Sequence, residues 1–328
     1  MSVQAHPHPA LAPQAKPGEK GAGRVCPLDY AYQPSLFARA PDFACDVLYA
    51  VGGLYGNRHA LEAVNDLAAR ERHRPILVFN GDFHWLDAEP GWFAEIERGV
   101  SAHRALRGNV ETEISRLEDI GAGCGCDYPE TVGEDVVRRS NETLLRLRAQ
   151  TPAAARDRLR ALPMHLVAQV GALRIGIVHG DAQSLAGWQF AQAALDDAAN
   201  RAWLDRARAA STIDLFACTH TGEAALRDYA LPSGRLTVAN NGAAGLPNFS
   251  GSRFGVVTRI ATTPSPQQPL YGLARDGVFV DALAVDYDHD GFVRRFLACW
   301  PPGSSAFDSY YRRIVDGADY SFAKAGPR

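Results

Sequence analysis

Five times along this chain a short apolar run stops at a compact group of Gly, Asn, Asp, His or Cys residues. Asp46 to Val51 runs into Gly52, Gly53 and Asn57, and Pro75 to Phe79 into Asn80, Gly81 and Asp82. Leu173 to Val178 ends at His179, Gly180 and Asp181. Ile213 to Ala217 ends at Cys218, Thr219 and His220, and Leu236 to Ala239 at Asn240, Asn241 and Gly242. Runs of this length, rich in Val, Ile, Leu and Phe and bounded by turn residues, predict buried strands. A single Gly-Asp or Gly-Asn pair is ordinary turn chemistry. A series of them, each after a strand, is not, because α/β sheets assemble ligand sites at the carboxyl ends of their strands. The polar groups are therefore expected to converge in space.

The intervening sequence supplies helices. Beyond Asn57, residues Leu61, Val64, Leu67 and Ala68 recur at helical spacing. Helices are also expected over Thr131 to Arg148, Ala153 to Leu162 and roughly Leu185 to Arg208. Met164 to Val170 pairs with Leu173 to Val178 as a hairpin across Gly171. Phe254 to Ile260, Val278 to Val285 and Phe292 to Trp300 are further apolar or alternating segments read as strands. Residues 1–25, rich in Pro, Ala, Gly and Lys, read as a disordered tail in which His6 and His8 are solvated linker histidines. Order is expected to begin near Asp46, within a single domain spanning 26–328. A loop-helix insertion at about 112–163 carries Cys124 and Cys126.

Composition narrows the class of function. With 46% apolar and 22% charged residues over 328 positions, the chain can bury a large core. A net charge of -3 gives no general attraction to nucleic acid or anionic lipid. Nothing approaches a run of about 18 apolar residues, and the first residues lack a charged n-region followed by an apolar stretch, so the protein reads as cytoplasmic. In that setting six cysteines imply reduced thiols and potential metal ligands rather than a disulfide framework. An oligomer is left open.

The ordered series of motifs resembles that of the calcineurin-like metallophosphoesterases, in particular their small bacterial phosphodiesterase branch, over about residues 46–290. The stretches that carry the resemblance are Gly53 to Asn57, Gly81-Asp82, Gly108 to Glu111, His179, Ala217 to His220, Asn241 to Pro247 and Asp286 to Asp288. The resemblance implies an α/β fold of two facing mixed sheets flanked by helices, a four-layer α/β/β/α sandwich. It also implies a divalent metal such as Zn, Fe or Mn, with one or two ions per chain.

Residue-by-residue transfer shows an altered centre. The family's first metal takes Asp and His from the first motif, and Gly53 and Tyr55 stand there; glycine has no donor atom and a tyrosine is a poor ligand for a divalent ion. The resemblance assigns the remaining ligands to Asp82, Asn109, His179, Cys218 and His220. Cys218 reads equally as a thiolate ligand or a buried small hydrophobe. Tyr55 is a catalytic candidate, contacting substrate or supplying a proton, or else fills the space of a lost ligand. Glu111 is the second catalytic candidate and alternatively orients Asn109. Gly53, Asn57 and Asn241 are expected to face substrate. His59, His84 and His103 read as surface or helix-face histidines that lie near enough to replace a ligand. Cys124 and Cys126 read as a reactive loop or buried thiols rather than a metal pair. Val110 occupies the place of a catalytic histidine, which disfavours monoesters. The function expected is hydrolysis of a phosphodiester or other phosphoester at a mononuclear centre. The alternative is an inactive homologue that binds a phosphorylated small molecule or a protein through the same cleft.

Overall fold

The computed structural model describes residues 21–328. The elements run β1 (Phe43–Cys45), β2 (Val47–Val51), α1 (Arg58–Ala69), β3 (Ile76–Asn80), α2 (Pro90–Ser101), β4 (Arg104–Leu106), α3 (Asn109–Ser115), α4 (Glu134–Gln150) and α5 (Ala153–Ala161). They continue as β5 (His165–Val170), β6 (Leu173–Val178), α6 (Gln192–Asp196), α7 (Arg201–Ser211), β7 (Leu215–Cys218), β8 (Ala225–Leu231) and β9 (Gly234–Asn240). The last are β10 (Gly255–Ala261), β11 (Tyr271–Arg275), β12 (Val278–Val285), α8 (His289–Cys299) and α9 (Ser305–Asp316).

Two mixed six-stranded sheets form, in the orders β11-β12-β10-β2-β3-β4 and β1-β5-β6-β7-β9-β8. Period-two alternation explains why they face each other. Leu48 and Ala50 of β2 join Ile175 and Ile177 of β6 and Leu215 and Ala217 of β7 in one apolar layer between the sheets. Their neighbours point outward: Val47, Tyr49 and Val51 pack with Leu61 and Val64 of α1 and Phe292 and Phe296 of α8, and Phe216 packs with Leu204 and Ala207 of α7. This is the expected four-layer arrangement.

Strand direction places the site. β2, β3 and β4 are mutually parallel, as are β6, β7 and β9. Their carboxyl ends therefore open on one edge of each sheet, and the five polar clusters share one rim.

Several expectations need correction. Phe292 to Trp300 is not a strand; all but Trp300, which follows as the C-cap, lies in α8, whose apolar residues Phe292, Phe296 and Cys299 recur at helical spacing. The single helix expected from Leu185 to Arg208 is instead a loop, the short α6, one 3-10 turn and α7. Order starts before Asp46: Tyr30 and Phe37 are buried, and β1 pairs with β5. His6 and His8 of the expected tail lie outside the described residues. Gly23 and Arg24, assigned to that tail, are bonded instead. Gly23 N donates to Ala122 O at 2.8 Å, and Arg24 reaches the carbonyls of Pro129 and Val132 at 2.7 and 2.6 Å. Strands β1, β4, β8 and β11 and helices α2, α3 and α9 were not expected; β1 and β4 have three residues each, too few to show a period.

Candidate metal centre

Each rim residue is held by local backbone chemistry. Tyr55 and Asp82 both have positive φ, 51° and 53°, a state that costs a non-glycine residue about 1–3 kcal/mol and concentrates at functional sites. Tyr55 N donates to Asp82 O at 3.0 Å, so the two turns brace each other. Gly108 must be glycine because the backbone presses on the site: an added Cβ would collide with Asp82 Oδ1 and lie 2.8 Å from His179 Cε1.

Asp82, His179 and His220 bring ligand atoms within 4.8 Å of one another. Asn109 joins them, with Oδ1 2.9 Å from His179 Nε2. Hydrogen bonds on the far side of each ligand decide which atom faces inward. His179 Nδ1 lies 2.9 Å from Asn80 O and His220 Nε2 3.0 Å from Cys126 O. A carbonyl only accepts, so each of these nitrogens carries the proton. His179 Nε2 and His220 Nδ1 are then bare lone pairs, 3.1 Å apart. Asn109 Nδ2 donates to Cys124 O at 2.9 Å, which turns its Oδ1 inward. Asp82 Oδ1 lies 3.4 Å from His179 Nε2.

Three neutral acceptors thus converge, and Asp82 adds a fourth when its carboxyl is ionised. Burial holds His179 down to about 4 and His220 to about 3, so neither imidazole supplies a proton at neutral pH. Burial also pushes Asp82 up to about 7, since its charge is costly without a cation. Two imidazole nitrogens, one carboxylate and one amide oxygen form a donor set suited to a divalent metal such as Zn or Fe, and the lone-pair repulsion in its absence is what a cation relieves.

Other candidates fall elsewhere. Cys218 is buried with Phe216, Tyr32 and Phe37 on the outer face of β7, one residue out of phase with the inward Ala217, and is not among the converging ligands. Burial pushes its thiol well above the ordinary range, so it behaves as a small hydrophobe. Glu111 has no free edge: its carboxylate accepts from the N–H groups of Asp82 and Gly108, both at 2.8 Å, and of His84 at 3.1 Å. It ties two rim loops together and is fully buried, which fits a positioning role rather than a catalytic one. Asn57 caps α1 through Oδ1 to Ala60 N at 3.1 Å and donates from Nδ2 to Gly245 O at 2.9 Å. Asn241 donates to Asn80 Oδ1 at 3.1 Å and is fully buried, so neither asparagine is placed to meet substrate.

His84 is not a surface histidine. It is buried between Asp87 (2.6 Å) and Glu97 (3.1 Å) and stacks on Phe93 with ring centres 3.8 Å apart. Burial alone would lower its pKa, but the two carboxylates outweigh this and raise it to about 9. His59 and His103 stand away from the centre: His59 faces Glu62 and Asp288, and His103 packs on Phe79. Cys124 and Cys126 are bonded to each other as a disulfide, contrary to the expectation of reduced thiols; separated by one residue, they close the loop whose carbonyls hold Asn109 and His220.

A cleft of about 170 Å³ opens over the centre. Asp82, Asn109, Val110 and His220 form its floor, and Tyr55, Trp85, Tyr128, Trp188, Tyr310 and Arg313 its walls. The Tyr55 hydroxyl makes no hydrogen bond among the described residues, and burial pushes its pKa well up, so the phenol keeps its proton. Tyr128 and Trp188 come from long connecting segments, and Tyr310 and Arg313 from α9. Sequence reasoning missed all four, because no motif marks them.

No family model matches the sequence, and no curated protein matches it. Solved structures do. A metallophosphoesterase from Sphaerobacter thermophilus is 16% identical with a TM-score of 0.53, over 83% of this chain and 100% of that one. A hypothetical protein from Pyrococcus horikoshii OT3 is 16% identical with a TM-score of 0.55, over 83% and 98%. The chain has the metallophosphoesterase fold.

Proposed function

With that fold as the premise, we propose that this protein is a metal-dependent phosphoester hydrolase with one metal ion, held by Asp82, Asn109, His179 and His220, and that its substrate is a phosphodiester or an activated phosphoester. The observation that carries the reading is the convergence of two bare imidazole nitrogens and the Asn109 amide oxygen on the Asp82 carboxyl. A bound divalent ion supplies Lewis acidity and makes water a better nucleophile near neutral pH. The chain's own residues do the rest. The carbonyls of Asn80, Cys126 and Cys124 fix the two imidazoles and Asn109 in their ligating orientation. The aromatic walls exclude water, which strengthens charge interactions at the floor. Tyr55, with its proton retained, donates a hydrogen bond to a phosphoryl or leaving-group oxygen. Val110 lines the cleft where a histidine would protonate a poor leaving group, so diesters with good leaving groups suit it best. The alternative of an inactive binding protein draws on Gly53 and Tyr55, which close the position of a first ion.

Asp82→Asn is the discriminating variant, because asparagine tolerates the positive φ while lacking the charge. Metal analysis of purified protein should find about one Zn, Fe or Mn per wild-type chain and less than a tenth of that in the variant. Hydrolysis of bis(4-nitrophenyl) phosphate should fall in parallel. Full metal retention in Asp82→Asn would remove the assignment, and metal without any hydrolysis would leave the binding-protein reading.

A further inference from the structure

The cleft contains one cation whose purpose the fold does not explain. Arg313 of α9 donates from Nε to Pro247 O and from Nη2 to Gly222 O, both at 3.1 Å. These bonds fix the plane of the guanidinium and leave Nη1 without a hydrogen bond among the described residues, and Arg313 lines the cleft with Asp82, Asn109 and His220. Among the described residues Arg313 forms no ion pair with a carboxylate. Glu223 is near enough to feel its charge but forms no ion pair with it, so this half-buried guanidinium keeps donor capacity that a ligand can use.

Its position is informative. An added Cβ at Gly222 would lie 3.5 Å from Tyr55 Oη and 3.6 Å from Arg313 Nη1, so the phenol and the guanidinium flank the same small opening. Tyr55 stands where the sequence resemblance places a ligand of a first metal, and Gly53 beside it has no donor atom. The side of the cleft unable to hold a second metal ion therefore carries a positive charge of another kind.

We infer that Arg313 binds a phosphoryl oxygen of the substrate opposite the Asp82, Asn109, His179 and His220 centre, and so supplies the second positive charge of the phosphate clamp. The inference rests on the phosphoester reading. A guanidinium matches phosphate oxygens through its planar N–H groups and keeps its charge at any working pH. No bond forms or breaks at Arg313 and no proton leaves it. It holds the anion and offsets the charge that builds on the phosphoryl oxygens. The surrounding aromatic walls lower the local dielectric and strengthen that interaction.

The test uses the full chain and inorganic phosphate as the probe, with binding measured by titration calorimetry alongside metal content. Arg313→Gln removes the charge and keeps an amide that can reach the Pro247 or Gly222 carbonyl; Arg313→Lys keeps the charge and loses the planar fork. Arg313→Gln should weaken phosphate binding at least tenfold with metal content unchanged, and Arg313→Lys should fall between it and wild type. Added guanidinium ion should restore part of the binding to Arg313→Ala. Should Arg313→Gln fail to fold, the comparison of wild type with Arg313→Lys carries the test. Phosphate affinity unchanged in these variants, or absent in wild type, overturns the inference. Loss of phosphate binding in Arg313→Gln from a wild type that hydrolyses no ester would uphold the anion site while rejecting the hydrolase reading.

Discussion

Writing the missing ligands back into the first motif tests how the site was altered. Gly53 has φ +52°, where a side chain costs about 1–2 kcal/mol, with aspartate at the low end. Its Cβ would lie 2.7 Å from Tyr55 Cε2, 3.2 Å from Ala243 Cα and 3.3 Å from Ala243 Cβ. Gly53→Asp alone should therefore destabilise by about 2–4 kcal/mol, adding backbone strain and overpacking. Tyr55→His alone removes part of a buried ring but places histidine in a left-handed state it tolerates, at a cost of about 1–2 kcal/mol. In the double variant the Cε2 clash disappears and only the Ala243 contacts remain. Its loss should be smaller than the sum of the single losses by about 1 kcal/mol. The measurement is urea denaturation of all four proteins in chelator, repeated with Mn. A second ion held by the two introduced side chains of the double variant, with Mn present at about 100 times its Kd, would add about 2.7 kcal/mol of stability. Strict additivity in chelator would refute the claim that the Tyr55 ring is what closes Gly53. An equal response of wild type and double variant to Mn would show that the new donors do not reach a common point.

Two other predictions follow from residues placed away from the ligands. Cys218→Ser should leave metal content and metal preference unchanged while lowering stability by about 1–3 kcal/mol, because a hydroxyl enters an apolar layer; a changed metal preference would return Cys218 to the ligand set. His84 has its pKa raised to about 9 in the fold, so the stability it contributes is fully present below its unfolded pKa, near 6.5, and is lost as pH rises through the folded value. Chelated wild type should therefore lose up to about 3 kcal/mol between pH 6.5 and 9.5 relative to its own maximum, and His84→Gln should lose less over that window; parallel stability curves for the two would show that His84 is neutral between Asp87 and Glu97.

The fold was readable in the sequence where strands are long and wholly buried. β2, β7 and β3 up to Asn80 are apolar runs because both faces are covered, by the second sheet on one side and helices on the other, while β6 and β10 are apolar apart from Arg174 and from Thr258 and Arg259. Reading failed where a period could mislead. Phe292 to Trp300 is apolar enough for a strand, yet it is a helix whose inward face packs on β2, and β1 and β4 are too short to carry any period. Cys218 was misplaced by a motif match that ignored alternation. The same period-two rule that sends Ala217 to the space between the sheets sends Cys218 outward with Phe216.

The site divides along a physical line. Asp82, Asn109, His179 and His220, the ligands we propose, could be picked out as candidates because ligation depends on residue type, and their order along the chain carries the signal. The groups that aim them could not: the carbonyls of Asn80, Cys124 and Cys126 are main-chain atoms that any residue supplies. Glu111 shows the converse case, a side chain whose acidic identity suggested chemistry but whose oxygens are committed to the backbone N–H groups of three rim residues. Residue type alone therefore overstates the catalytic set and understates the positioning set. Arg313 marks a further boundary, since its place in the cleft depends on how α9 packs after the last strand, a tertiary outcome with no local signature. The motif by itself thus leaves out the positive charge we assign to Arg313, which the folded chain sets beside Tyr55, on the side where the family resemblance expects a first metal.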